Sequence, residues 1–170
     1  MNNVLITDAE QRSALAATRS LGKSNITVFT ADEGDTALAG SSRYSMQYFT
    51  YPSPRLDPEL FIQCLSDLII EQRIVIIFPM SELTSALLLS HKSSFPNTVI
   101  PMPDIETVNL LADKCYLMRK AEAMNIPIPE TQYCDPSENN LLHSQDLKFP
   151  VVLKPGMSWQ CQDNHWYRAG

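Results

Sequence analysis

The sequence lacks the features that would assign it to several common classes of binding protein. It contains no basic cluster of the kind that follows a nucleic-acid backbone, and its 13 basic and 19 acidic side chains leave a net charge of −6. The apolar residues between positions 68 and 78 are interrupted by Glu71, Gln72 and Arg73, and the first residues hold neither a basic leader nor a long apolar stretch. We therefore expect no nucleic-acid partner, no membrane insertion and no secretion.

Closely spaced cysteine pairs are also missing. The four cysteines, Cys64, Cys115, Cys134 and Cys161, form no C-x-x-C pair, which argues against a disulfide framework and against a zinc site. Cys161 and His165 have a spacing that would bring two metal ligands together on a helix, but the turn-forming residues around them argue against a helix. We expect reduced thiols, a cytoplasmic location and no metal ligand in this chain.

Two signatures of other α/β proteins are absent as well. No G-x-G-x-x-G follows the apolar run at 4–6, where the turn reads Thr7-Asp8-Ala9-Glu10, and this argues against a dinucleotide-dependent oxidoreductase. A phospho-accepting receiver domain would need an acidic pair after the first strand and an acceptor aspartate after the third, where residues 50–52 supply none.

What the sequence does contain is an alternation of short apolar runs with amphipathic helices. This alternation is typical of a parallel sheet covered by helices, so we predict an α/β, Rossmann-like sheet with helices on both faces over residues 1–112. The expected strands are 4–6, 26–29, 47–50 and 74–78, and the expected helices start from caps at Asp8, Asp57, Ser81 and Asp104.

The carboxyl ends of parallel strands share one edge of a sheet, and ligands bind at that edge. The loops at 7–8, 32–43 and 79–82 are expected there, which makes Asp8, Arg43 and Glu82 candidate substrate-binding residues. The planar fork of Arg43 suits a carboxylate or phosphate, and Glu82 suits an amine. The competing interpretations are a solvated loop arginine and a glutamate that complements a helix dipole.

A helix with a defined start and stop is expected after residue 112. Asp113 is placed to cap it, Leu117, Ala121 and Met124 fall on one face, and Asn125 can take up the left-handed turn that ends it. Lys114 then lies in the first turn, where free backbone N–H groups and the helix dipole would add to its own charge in attracting a phosphate.

A second lysine stands in the frame Phe-Pro-Val-Val-Leu-Lys-Pro, residues 149–155. The apolar run 151–153 predicts a short buried strand between Pro150 and Pro155, so that Lys154 leaves the end of the strand. An edge lysine also serves to discourage strand pairing, which is the alternative interpretation.

In this order the helix lysine, the run Ile-Pro-Ile-Pro-Glu-Thr and the strand lysine resemble the ATP-grasp ligases, most of all the carbamoyl-phosphate-synthase-like and biotin-carboxylase-like branches. The resemblance covers about residues 4–155. It implies that Lys114 and Lys154 contact the phosphates of ATP, and that residues 1–112 form the domain that precedes the ATP-grasp domains. It also implies that Mg²⁺ bridges those phosphates in the complete enzyme.

The sequence departs from this family after Lys154. A glycine-rich loop is expected there, because backbone N–H groups approach phosphates most closely where side chains are absent. Gly156 is the only glycine in that stretch, so we predict that Ser158 and the N–H groups of 156–158 take over the contact. A hairpin is expected to follow, with Trp159 and Trp166 on either side of a turn at 163–164.

The magnesium ligands of the resembled family lie beyond this stretch, so residues 113–170 are interpreted as a linker helix and the truncated start of an ATP-grasp nucleotide-binding subdomain. The resulting hypothesis is the N-terminal part of an ATP-dependent ligase that joins a small carboxylate to an amine, inactive by itself. The alternative is a non-catalytic small-molecule-binding or dimerisation module, and a homodimer is left open.

Overall fold

The computed structural model describes residues 3–134, 148–162 and 165–169, without the side chains of Cys161, Gln162 and His165. Its elements in chain order are β1 (Asn3–Ile6), α1 (Arg12–Lys23), β2 (Thr27–Asp32), β3 (Ser45–Thr50), α2 (Pro58–Glu71), β4 (Ile74–Phe78), α3 (Glu82–Ser90), α4 (Ile105–Ala112), α5 (Lys114–Ala123), β5 (Trp159–Gln162) and β6 (His165–Arg168). No helix in these ranges is both long enough and apolar enough to cross a membrane.

The first four strands form one parallel sheet in the order β3-β2-β1-β4. Val99 extends it beyond β4, since its N–H donates to the carbonyl of Val75 and its carbonyl accepts from Ile77, both at 2.9 Å. The sequence predicted all four strands, and β4 has the predicted bounds.

Helices cover both faces of this sheet because successive strand residues point to opposite sides. Leu5 faces the side covered by α2 and α3, where Phe61, Leu65 and Leu88 are fully buried. Val4 and Ile6 face the other side, which is covered by α1 and by alanines of the loop between β2 and β3. The predicted α/β, Rossmann-like class is therefore confirmed.

Four helices begin at the predicted caps, since the side chains of Asp57, Ser81, Asp104 and Asp113 each accept a hydrogen bond from a backbone N–H in the first turn. The prediction for α1 is wrong. That helix begins at Arg12, three residues after Asp8 would allow, because Asp8 adopts a left-handed φ of 53° and directs its carboxylate to other partners.

The predicted hairpin is present, with β5 and β6 antiparallel and Trp159 opposite Arg168. Trp159 and Trp166 both pack against the core on the α2 side of the sheet. Its turn, at 163–164, lies outside the described residues, and Cys161 and His165 lie on these two strands rather than on a helix.

The buried strand predicted at 151–153 does not form. Val151, Val152 and Leu153 are 38%, 79% and 76% exposed and carry no strand pairing. A strand is stable only when a neighbour accepts and donates its backbone hydrogen bonds, and no described residue pairs with this segment. Lys154 therefore extends from an exposed irregular segment.

Candidate functional site

Asp8 forms hydrogen bonds that connect the carboxyl ends of the strands. Its Oδ2 accepts hydrogen bonds from the Thr84 hydroxyl at 2.6 Å, the Met80 N–H at 2.9 Å and the Thr7 hydroxyl at 3.0 Å. Its own N–H donates to the hydroxyl of Tyr51 at 3.0 Å. The carboxylate that the sequence offered for substrate binding is thus engaged in holding β1 to the turn after β4.

Two tyrosines at this edge are kept neutral. Burial first, and the charge of Asp8 next, raise the pKa of Tyr51. Burial also raises the pKa of Tyr48, followed by the nearby carboxylates of Asp32, Asp35 and Glu10, and the Tyr48 hydroxyl donates to a loop carbonyl. Neutral hydroxyls let these side chains brace the loop without adding charge to an acidic edge.

Asp32, at the end of β2, is likewise engaged by the backbone. Its Oδ2 accepts from the N–H of Glu10 at 2.8 Å, and its Oδ1 accepts from the N–H of Glu33 at 2.8 Å and of Gly34 at 3.3 Å. These bonds stabilise the start of the loop between β2 and β3. Asp8 and Asp32 therefore both have structural partners.

Glu82 and Arg43 lie at opposite edges of the sheet. Glu82 is the exposed first residue of α3, just beyond the end of β4, as predicted. The loop 33–44 crosses from one edge to the other, because Ser45 begins β3 opposite Val28, near the start of β2. The expectation that the whole loop lies at the carboxyl edge is wrong for Arg43.

Lys114 is brought onto the loop that follows Lys154. Its Nζ donates to the Ser158 hydroxyl at 3.0 Å and to the Gly156 carbonyl at 3.3 Å, and its backbone N–H donates to the same carbonyl at 3.0 Å. The Ser158 carbonyl accepts from Ala169 N–H at 2.9 Å, which anchors the loop to the base of the hairpin. Two of the predicted phosphate-binding residues, Lys114 and Ser158, are therefore in direct contact.

The first turn of α5 does not present free N–H groups as expected. The N–H of Lys114 is bonded to Gly156, and those of Cys115 and Tyr116 donate to Asp113 Oδ1 at 2.9 and 3.2 Å. A helix N-terminus attracts anions through unpaired donors, and here they are paired within the protein. Any anion held here is bound by the ammonium group of Lys114, the Ser158 hydroxyl and the neighbouring cations.

Lys154 is exposed, and it lies two residues before Gly156. Two residues of extended chain span at most about 7 Å, so the backbone of Lys154 lies within that distance of the Gly156 backbone that Lys114 contacts.

A cleft that the sequence did not indicate adjoins this loop. It has a volume of about 520 Å³ and is lined by Asp113, Cys115, Tyr116, Arg119, Lys120, Ala123, Tyr133 and Cys134. The Arg119 guanidinium lies 4.7 Å from the centre of the Tyr133 ring, a cation–π arrangement. The only feature of the sequence that could have indicated this cleft is the position of Arg119 on the same helix as Lys114. Nothing in the sequence pairs it with Tyr133, which lies beyond the end of the helix.

Within the described ranges, no three His, Cys, Asp or Glu side chains converge as metal ligands. These residues therefore offer no metal site built from three protein side chains, and we assign no reaction step to a metal held by them. The lysine, hydroxyl and arginine groups around the loop fit a polyphosphate better, because they supply positive charge and hydrogen-bond donors.

No family model matches the sequence. No curated protein matches it either.

Solved structures do resemble the fold. L-amino acid ligase from Bacillus licheniformis has a TM-score of 0.66 and 12% identity, covering 99% of this chain and 39% of that one. N5-carboxyaminoimidazole ribonucleotide synthetase from Thermotoga maritima has a TM-score of 0.59 and 15% identity, covering 99% and 41%. The biotin carboxylase domain of a single-chain bacterial carboxylase has a TM-score of 0.57 and 19% identity, covering 81% and 32%.

The chain thus spans well under half the length of each of these structures, from 32% to 41%. At such low identities the likeness establishes the fold alone. The predicted resemblance is confirmed at the level of fold, because the α/β fold of this chain is similar to that of these three ATP-grasp enzymes.

Proposed function

We propose that this chain is the N-terminal portion of an ATP-dependent ligase that joins a carboxylate to an amine. In this proposal residues 1–112 form the domain that precedes the nucleotide site, and residues 113–170 begin the nucleotide-binding subdomain. The observation that carries the proposal is the contact of Lys114 Nζ with Gly156 and Ser158, because it assembles a cationic loop from the two frames that resemble ATP-grasp ligases.

Lys114, Lys154 and Ser158 are proposed to hold the triphosphate. The Lys114 ammonium and the Ser158 hydroxyl turn from each other toward phosphate oxygens, and Lys154 joins them from the exposed side of the loop. ATP, when bound, supplies the phosphoryl group that turns the carboxylate into an acyl phosphate, from which the amine displaces phosphate. The lysines stabilise negative charge on the transferred and leaving oxygens.

The acceptor substrates are proposed to bind near the carboxyl edge of the sheet. Glu82 remains exposed there and suits an amine, whereas Asp8 contributes by fixing the turn that carries Glu82. Arg43 lies at the other edge and is not part of this proposed substrate site. We expect the isolated chain to show little or no turnover, because the magnesium ligands of the resembled family lie beyond this stretch.

The experiment is a titration of the chain with ATP, followed by the fluorescence of Trp159 and Trp166 and by calorimetry. Trp159 directly follows Ser158, so loop rearrangement should change its emission. We expect ATP to bind and adenosine not to bind, and Lys114→Gln to weaken ATP binding about tenfold or more, because a charge-assisted contact is lost.

The matched control is Lys92→Gln, which removes one exposed positive charge just after the C-terminal end of α3. This change should leave ATP binding unchanged. If ATP binds equally well to Lys114→Gln and wild type, the assignment of the phosphate site is wrong. If the chain ignores ATP but binds another metabolite at the sheet edge, the non-catalytic binding module is the better description.

A further inference from the structure

A basic cleft lies at the edge of the sheet opposite Asp8 and Glu82. It has a volume of about 440 Å³ and is lined by Arg19, Lys23, Ser41, Ser42, Arg43 and Tyr44. The lining contains three cations and no carboxylate, although the chain carries a net charge of −6. In the ranges that the structure describes, none of these cations forms an ion pair. Such a local excess of positive charge attracts anions.

The helix that forms one wall sets two like charges side by side. Arg19 and Lys23 are four residues apart in α1, so they lie on the same face, where like charges repel. A cation in the last turn also complements the helix dipole, but the negative end of that dipole amounts to only about half a charge. Arg19, Lys23 and Arg43 together carry three positive charges, which is more than the negative end of the helix dipole can balance. The remaining positive charge is available to a ligand.

The other wall is fixed against the helix. A Cβ at Gly22 would lie 2.6 Å from the Cβ of Tyr44, so the absence of a side chain at Gly22 permits this close approach. Arg43 lies over the Tyr44 ring at 4.8 Å from its centre and donates to the Tyr44 hydroxyl at 2.8 Å. That bond occupies one of the five N–H donors of the guanidinium, and its remaining donors can meet a ligand.

Ser42 adds a neutral donor to this group. Its Oγ accepts a hydrogen bond from the N–H of Tyr44 at 3.3 Å, which leaves the hydroxyl proton free to donate. Ser41 donates its own proton to the carbonyl of Ala37 at 3.1 Å and is therefore already engaged. The residues that line the cleft thus carry two guanidinium groups, one ammonium and one available hydroxyl as donors.

We propose that this cleft binds the phosphate group of a small anionic ligand, at a site separate from Lys114. A single carboxylate is neutralised by one arginine, whereas a phosphate carries up to two charges and several acceptor oxygens and so matches several cations and a hydroxyl together. The crossing of the loop 33–44 to this edge brings Arg43 to α1, so the site depends on the fold of the sheet domain and not on the loop at 156–158.

The test uses pyrophosphate as the probe and the whole chain carrying Lys114→Gln, so that binding at the proposed nucleotide site is weakened. Calorimetry should show saturable binding at one site. In amide NMR spectra, the resonances of 41–44 and of the end of α1 should shift, whereas those of 156–158 should stay in place.

Added to this background, Arg43→Gln, or Arg19→Gln with Lys23→Gln, should weaken pyrophosphate binding about tenfold or more. The matched control, Arg55→Gln with Lys92→Gln, removes the same charge from exposed positions outside the cleft and should change affinity less than about twofold, since long-range charge effects are screened by salt. Arg43→Lys keeps the charge but loses the planar fork, and should fall between these results.

The proposal is overturned if the control weakens binding as much as the cleft variants do, which would indicate a general charge effect. It is also overturned if no saturable binding remains in the Lys114→Gln chain. Titration of wild type then tests the nucleotide site separately, because binding that is present in wild type and absent in Lys114→Gln supports that site. Thermal melting of each variant, compared with the Lys114→Gln parent, separates lost binding from lost folding, and Arg43→Lys serves if Arg43→Gln does not fold.

Discussion

The sheet domain and the region around Lys114 differ in the burial and the hydrogen bonding of their side chains. In the sheet domain, Leu5 and Leu65 are fully buried, and the carboxylates of Asp8 and Asp32 accept hydrogen bonds from neighbouring elements. In α5 no side chain is buried, and in the segment before Gly156 Leu153 is 76% exposed. The carboxylates of Asp8 and Asp32 therefore hold the fold, whereas Lys114 and Ser158 lie on a partly exposed loop where we propose that a ligand binds.

The comparison is tested most strongly by deleting the same apolar side chain from both regions. Leu65→Ala should lower the free energy of unfolding by about 3 kcal/mol, because it opens a cavity in the core. Leu153→Ala should change it by less than about 0.5 kcal/mol, since the side chain is exposed. Urea unfolding of both variants measures the difference, and equal losses would mean that 151–153 is packed after all.

Two glycines give the next contrast. Gly22→Ala should destabilise the protein by about 2 kcal/mol, because overpacking against Tyr44 outweighs the gain in helix propensity. At Gly156 a Cβ would lie 3.5 Å from both Asp113 and Cys115, which is ordinary contact, so Gly156→Ala should stay within about 0.5 kcal/mol of wild type.

Ser20→Ala, at an exposed position of α1, is the control for the helix effect and should be neutral or slightly stabilising. If Gly22→Ala instead increases stability, the close approach of α1 to the loop is incorrect, and the cleft beside it loses one wall.

The smallest effect concerns alkaline pH. The pKa of Tyr51 is raised above its ordinary value of 10.0, so its contribution to stability is complete below pH 10.0 and is lost as the pH rises through the folded value. Above pH 10.0 this residue should lower the free energy of unfolding by about 1.4 kcal/mol per pH unit.

Tyr51→Phe should remove the contribution of this residue to the pH dependence of the free energy of unfolding. Near neutral pH the variant should be less stable than wild type by about 1 kcal/mol, because the Asp8 N–H loses its acceptor. Tyr48, whose pKa is also raised, still contributes in the variant. Urea unfolding across alkaline pH measures the slope. Tyr167→Phe, on the exposed hairpin, should leave it unchanged, and an unchanged slope in Tyr51→Phe would contradict the role of burial.

Much of the local structure could be predicted because it depends on nearby residues. The cap at Asp113, the first-turn position of Lys114 and the left-handed turn at Asn125, with φ 57°, all follow from the chain within a few positions. The cap predicted at Asp8 does not form, and nearby residues could not show why. Its carboxylate has a better set of partners in Thr84 and Met80, more than seventy positions away.

The prediction of a strand at 151–153 was wrong for a related reason. Its apolar pattern is that of a strand, but burial and strand pairing require a partner, and none is present among the described residues. The identity of Lys154 as a candidate came from the sequence, whereas its exposure came only from the structure. Arg119 and Tyr133 were missed because a cation–π contact between a helix and a later segment leaves no periodic signal.

The sequence by itself determined the parallel α/β sheet, four of its helix caps and the pair of lysine frames, because hydrophobic period and capping are local properties. Only the tertiary structure decided that Asp8 is a structural anchor, that Lys114 meets Ser158, and that Arg19, Lys23 and Arg43 share one cleft. These three cations form no cluster along the sequence. They come together in the folded chain because a parallel strand must begin at the edge of the sheet opposite the one where its predecessor ends, and the loop between β2 and β3 brings Arg43 to α1.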